Sequence, residues 1–217
     1  MKAAASKESI LKKIRKALSE STPLPFPSSE GSNSVFQPAP DDLDLLFAEQ
    51  FGKLQGKFVF CLNQEELELQ LTLLAKQKNF QKIYCREEDL RSGITEEAVR
   101  SALLEDQSPE ALKNCDAAIT GCECLVARTG TIVLSSAQAS GRTSSVYAPV
   151  HICIATTSQL VYDIKDGLRL LKEKYGTSLP SFISFASGPS RTADIEKTLV
   201  VGVHGPKEVY LFLVDNS

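Results

Sequence analysis

A chain of 217 residues, 42% hydrophobic and 24% charged, is long enough to bury an α/β core without a disulfide or metal staple. Its net charge of −3 excludes the overall basic footprint of a nucleic-acid-binding protein. No apolar run approaches the ~20 residues of a membrane-spanning helix.

The spacing predicts an amphipathic helix over 6–19, with Ile10, Leu11, Ile14 and Leu18 on one face and Lys7, Lys12, Lys13, Arg15 and Lys16 over much of the rest. Ser6 or Ser9 is placed to cap it. Such a helix packs on its own domain with a solvated basic face, docks on a partner, or lies on a membrane. The interspersed lysines do not make a secretory signal, so a cytoplasmic location is expected. Residues 19–42 carry five of the ten prolines and many serines, a composition that forms an arm rather than a core. The domain reading is therefore a helix and arm over 1–42 and an α/β domain over 43–217. Residues 1–42 also offer a route to a homo-oligomer.

From Asp41 the pattern becomes regular. A helix over DLDLLFAEQFGKLQG ends at Gly56, KFVFCLN reads as a buried strand, QEELELQLTLLAKQKN as a helix and KIYC as a short strand. TEEAVRSALLED and SPEALKN read as helices with Thr or Ser before acidic first turns. Two or three short strands follow over 115–136, then the strand VHICIAT, a long helix over 157–176, and the strands SFISFAS and EVYLFLVD. Strands apolar throughout, alternating with helices, predict a mainly parallel open sheet covered on both faces. The six cysteines, at 61, 85, 115, 122, 124 and 153, lie mostly in or beside apolar runs. They read as free buried thiols. Cys122-Glu-Cys124 with only two histidines does not make a zinc site, and no tight run of four thiolates offers an iron–sulfur site.

Ligands of open α/β sheets bind where strand carboxyl ends enter loops, and three loops qualify. In Ser187-Gly-Pro-Ser-Arg-Thr-Ala-Asp194, Gly188 and Pro189 end a strand. Ser190 or Thr192 is placed to cap a following helix with Asp194 in its first turn, where free N–H groups attract anions. Arg191 adds a fork for carboxylate or phosphate. The plain alternative is a helix start with a solvated Arg. The second loop holds Thr129-Gly130-Thr131, read as a hairpin turn, and a small polar stretch over 135–145 in which Gly141 and Arg142 allow close approach to a ligand. The third is Gly202-Val-His-Gly-Pro206, whose His204 is placed for acid–base work at a turn expected to be partly exposed. His151 either faces the same region or sits in the core. Neither a nucleotide-binding glycine pattern nor a nucleophile elbow is present.

Taken together, ARTGTIVL (127–134), PVHICIA (149–155), GPSRTADIEKTLVVGVHGP (188–206), EVYLFLVD (208–215) and the N-terminal ILKKIRKAL (10–18) resemble the lactate utilization protein C family, LutC, of the LUD-domain proteins. The resemblance implies a fold like the NagB/RpiA/CoA-transferase group. It also implies a non-redox subunit that acts with two iron–sulfur lactate utilization proteins in oxidising L-lactate to pyruvate. No cofactor is then expected in this chain, because the clusters lie in the partners. Gly188, Ser190, Arg191, Thr192, Asp194, His204 and Gly205 match the family's signature positions and are carried over as a surface for a small anionic ligand. Thr129, Gly130, Thr131, Gly141 and Arg142 join this surface from the loop reading above, and His204 and Asp194 are the acid–base candidates if the chain is itself an enzyme. Many members carry a carboxylate where this chain has Arg128, which cannot form an acyl intermediate. Arg128 instead adds positive charge if it points into the site. The chain's own catalytic activity is not evident from sequence. The alternative reading is a stand-alone enzyme on a small anionic or phosphorylated metabolite.

Overall fold

Strands that are apolar on both faces need cover on both faces, and that requirement organises the molecule. A computed structural model describes residues 12, 13, 15, 16, 39–193, 199–202 and 204–216. The chain divides into two compact units, Met1–Pro38 and Ala39–Ser217. In the first, Lys12, Lys13, Arg15 and Lys16 are helical and exposed. The apolar face predicted for that helix, and most of the arm, lie outside the described residues.

In the second unit, five strands form a wholly parallel sheet: β1 (Lys57–Cys61), β2 (Ile83–Cys85), β3 (Ala117–Thr120), β6 (Val150–Thr156) and β11 (Glu208–Val214), in the order β1-β11-β6-β3-β2. Alternation sends Val150, Ile152, Ile154, Tyr210, Phe212 and Val214 to one face, and Cys153, Ala155, Val209, Leu211 and Leu213 to the other. Helix α2 (Gln64–Lys78) covers the first face with Leu67, Leu71, Leu74 and Ala75. Asn63 starts it by accepting from the Glu66 N–H, and Asn79 stops it in a left-handed conformation at φ 54°.

The second face is covered by a smaller sheet and by α1 (Leu43–Lys53). The smaller sheet contains β4 (Cys124–Val126), β5 (Thr131–Ser135), β7 (Leu160–Val161) and β8 (Ile183–Ala186), in the order β7-β4-β5-β8. β5 pairs antiparallel with β4 and β8, while β4 and β7 are parallel. Phe47 and Phe51 of α1 join Leu125, Ile132 and Leu134 against the parallel sheet. Each such side chain, fully buried, contributes about 1.5–3 kcal/mol. On its outer face the small sheet packs Cys124, Val126 and Val133 on Leu171 of α7 (Ile164–Tyr175). All six cysteines are buried and free, and among the described residues no helix is long and apolar enough to cross a membrane.

Three expected elements differ. The long helix over 157–176 begins only at Ile164, because Asp163 and Asp166 form a capping box there. Residues 160–161 have already paired as β7. The helix expected over TEEAVRSALLED is confined to α4 (Glu97–Arg100). The Ile83 N–H donates to the Ala102 carbonyl and the Leu104 N–H to the Ile83 carbonyl, which draws 102–104 alongside β2. Two short helices, α3 (Glu88–Gly93) and α5 (Pro109–Lys113), flank that crossing. No helix begins at Ser190 or Thr192. Arg191–Ala193 is a strand, β9, paired antiparallel with β10 (Leu199–Val201), so long-range pairing overrides the local cap signal. Asp194 lies outside the described residues.

Candidate functional site

Two of the three sequence motifs meet at the end of α1, and the third joins them through Ser190. Thr129-Gly130-Thr131 is a hairpin turn between β4 and β5, with Gly130 at φ 56°. A Cβ on Gly130 would stand 2.5 Å from the Phe51 nitrogen and 2.7 Å from the Gln50 carbonyl carbon, so the turn lies directly on helix backbone. Thr129 Oγ1 and Ser187 Oγ each lie 2.7 Å from Thr131 Oγ1, tying the first motif to the second. Gly188 takes φ 78° against the Leu54 carbonyl, which leaves 2.6 Å for a Cβ. Arg191 donates from Nη2 to that same carbonyl at 2.5 Å. A helix C-terminus has orphan carbonyls, and a guanidinium there is a favourable partner. Arg191 is thus a clamp on α1 and remains exposed.

The second motif meets the third through backbone. The Ser190 N–H donates to the Pro206 carbonyl, and the Gly202 N–H donates to the Ser190 carbonyl, both at 2.9 Å. Gly205 packs so closely on Ser190 that a Cβ would come within 2.8 Å of the Ser190 Cβ. This holds Gly202–Pro206 in front of α6 (Ser144–Tyr147) and leaves a cleft of about 310 Å³ lined by Val146, Tyr147, Gly202, His204 and Gly205. His204 and Tyr147 are exposed to it, and the stem of Lys207 lies against Gly202. An imidazole and a phenol can each donate or accept a hydrogen bond, and Lys207 brings a cation on a flexible stem that starts beside Gly202. The cleft sits at the amino ends of β6 and β11 of the parallel sheet, because the segment after β10 of the two-stranded sheet leads into β11. The expectation that all three loops lie at strand carboxyl ends is therefore corrected.

A model of the LUD domain matches residues 3–214. The chain belongs to the LUD domain family. Over 112 residues it is 39% identical to lactate utilization protein C of Shouchella clausii, covering 51% of this chain and 49% of that protein. It is 36% identical over 116 residues to lactate utilization protein C of Bacillus subtilis strain 168, covering 51% and 48%. An uncharacterized protein of Neisseria meningitidis serogroup B is 36% identical over 108 residues, covering 48% and 45%. The chain spans about half the length of the curated relatives it matches. The crystal structure of a DUF162 family protein from Deinococcus radiodurans superposes with a TM-score of 0.59 at 21% identity, over 79% of this chain and 96% of that one. That likeness shows a shared fold.

In this LUD domain, Gly141 and Arg142 do not join the other predicted residues. Arg142 donates to Ser181 Oγ at 2.6 Å and faces the Phe182 ring, while Gly141 approaches Arg86. The loop that carries them runs between two regions, with Gln138 at the carboxyl edge of the parallel sheet and Tyr147 at the amino edge. Arg128 does not add charge to the cleft. It pairs at 2.6 Å with Asp163, the cap of α7. Burial works to raise the Asp163 carboxyl, but hydrogen bonds from the Lys165 N–H and Arg128 hold it below the usual range. His151 is in the core, 2.8 Å from Thr120 Oγ1, and burial pushes it down to about 4.

Sequence reasoning missed the polar groups at the carboxyl edge. Glu87, Cys122, Gln138 and Lys174 line a cleft of about 450 Å³ there, and the Gly121 N–H donates to Glu87. Behind it the Glu123 side chain is wholly buried. It accepts from Ser135 Oγ at 2.5 Å, Lys174 Nζ at 2.8 Å and Tyr175 OH at 2.7 Å. Burial acts to raise its carboxyl; the three donors outweigh that and hold it ionised, below the usual range. Cys122 hydrogen-bonds Cys153 and is buried, which together push its thiol well up, so it is no nucleophile at neutral pH. The one local signal was an acidic residue alone inside the apolar run GCECLV.

Proposed function

We propose that this chain serves lactate utilization as a non-redox component that binds a small carboxylate, with electrons carried by two iron–sulfur partner proteins. The names of the relatives support the system. The observation that carries the binding role is the backbone pairing of Ser190 with Gly202 and Pro206, which braces a cleft lined by Tyr147, Gly202, Gly205 and an exposed imidazole. A 2-hydroxy acid presents one carboxylate and one hydroxyl. His204 takes the hydroxyl hydrogen bond, Tyr147 and the glycine backbone frame the carbon chain, and Lys207 attracts the carboxylate. Arg191 holds the floor of the site by fixing the end of α1, rather than gripping the ligand. Asp194 is assigned no role.

The test is lactate-dependent dye reduction by the two iron–sulfur partners with the chain present, absent, or carrying His204→Gln. The expected result is that the chain is required and that the folded variant loses most of the stimulation, on the order of the 10²-fold that a positioned acid–base group supplies. Equal rates without the chain would remove the assignment. Turnover of lactate by the chain alone would replace it with a stand-alone enzyme.

A further inference from the structure

A third cleft, of about 340 Å³, lies beside β2 and α3, and its chemistry is cationic at the base and acidic at the rim. Arg91 is at its base with only 16% of the side chain exposed. Its Nη1 donates to the Cys85 carbonyl at 3.2 Å and the Leu104 carbonyl at 2.9 Å, which fixes the plane of the guanidinium. The other edge of the fork is turned to the cleft. There Nε stands 3.8 Å from Glu88 and Nη2 3.6 Å from Glu105, both beyond hydrogen-bond length. Those two carboxylates are 85% and 96% exposed, so the pairs are weak and either side chain swings away at little cost. Arg100 lines the same cleft, is exposed and makes no ion pair among the described residues. Ile94 and Leu103 supply an apolar wall.

A planar, mostly buried guanidinium whose outer edge lacks a hydrogen-bonded acceptor is matched by a bidentate oxyanion. We infer that this cleft binds a small oxyanion, the carboxylate or phosphate end of a metabolite. The oxyanion seats on the Nε–Nη2 edge of Arg91 with Arg100 as the second cation. Glu88 and Glu105 are displaced when it enters. They act as a gate that disfavours weak anions, because each competes for the same N–H groups. The site is separate from the His204 cleft and does not depend on the function proposed there.

The full chain is titrated with inorganic phosphate and, separately, with lactate at constant ionic strength, following both melting temperature and heat of binding. The expected result is saturable stabilisation by one of them. Arg100→Ala should weaken binding about tenfold, the loss of one charge-assisted contact. Glu88→Gln with Glu105→Gln should tighten it several-fold by removing the competing carboxylates, a gain that a purely structural Arg91 would not give. The lactate titration is made on His204→Gln, with and without Arg100→Ala, so that binding at the His204 cleft does not contribute and the result stays distinct from the lactate-oxidation test. Saturation by phosphate names a phosphorylated ligand, and Arg100-dependent saturation by lactate names a carboxylate. Arg91→Ala also cuts the ties to Cys85 and Leu104 and is not used, since unfolding alone would explain its loss. Absence of saturable stabilisation by either anion, or stabilisation indifferent to Arg100→Ala, overturns the inference.

Discussion

The two edges of the parallel sheet are held by different forces. At the amino edge the motifs meet through backbone: Gly130 on Phe51, Gly188 on Leu54, Ser190 on Pro206. At the carboxyl edge the groups meet through side-chain charge: Glu123 on Lys174, Ser135 and Tyr175, and Glu87 on the Gly121 N–H. A backbone joint is precise and leaves side chains such as His204 free for a ligand. A buried charge joint consumes its side chains and fixes the packing beneath the cleft.

The largest effect belongs to the backbone joint. Gly130→Ala adds a Cβ at 2.5 Å from the Phe51 nitrogen and at φ 56°. Helix backbone cannot rotate away as a side chain can, and the new residue also carries left-handed strain. A loss of about 3 kcal/mol or more is expected, read as a lower urea midpoint at unchanged slope. A midpoint within ~0.5 kcal/mol of wild type would mean that the turn is not seated on α1. At the carboxyl edge, Glu123→Ala should cost slightly less, about 2.5 kcal/mol. It strands the Ser135 and Tyr175 hydroxyls, but Lys174 is half exposed and regains water. Glu123→Gln keeps the shape and part of the bonding, so it should lose less. If the two variants fall equally, charge is what holds this edge; if Gln is silent, shape is.

The same contrast explains what the sequence made legible. Thr-Gly-Thr between apolar runs announces a turn, and the runs FVFC, VHICIA and VYLFLV announce strands buried on both faces, because each signal is local. Glu123 was not legible, since its partners Lys174 and Tyr175 stand 51 and 52 residues away. Arg128 was misjudged for the same reason, as its partner Asp163 comes from the start of α7. Ser190-Arg-Thr-Ala-Asp194 carries the residue types of a helix start, yet Arg191 pairs with Val201 across a hairpin. The position of His204 at the amino edge does follow from the chain order, since Gly202–Pro206 leads into a strand.

The smallest of these effects belongs to the buried His151. His151 is 1% exposed, and among the described residues its hydrogen-bond partner is Thr120 Oγ1 rather than a charged group. Burial puts its folded value near 4, against about 6.5 for an exposed imidazole. Between those values the unfolded chain holds a proton that the folded chain refuses. Stability is therefore fully present above about pH 6.5 and declines as pH falls toward 4, by about 2 kcal/mol on going from pH 7.5 to pH 5. Urea midpoints across that range should show the slope, and His151→Gln should flatten it while lowering stability at pH 7.5. If His151→Gln left the slope as it is, burial of this imidazole would not be the source of the acid sensitivity, and the charge joints of the carboxyl edge would be the place to look.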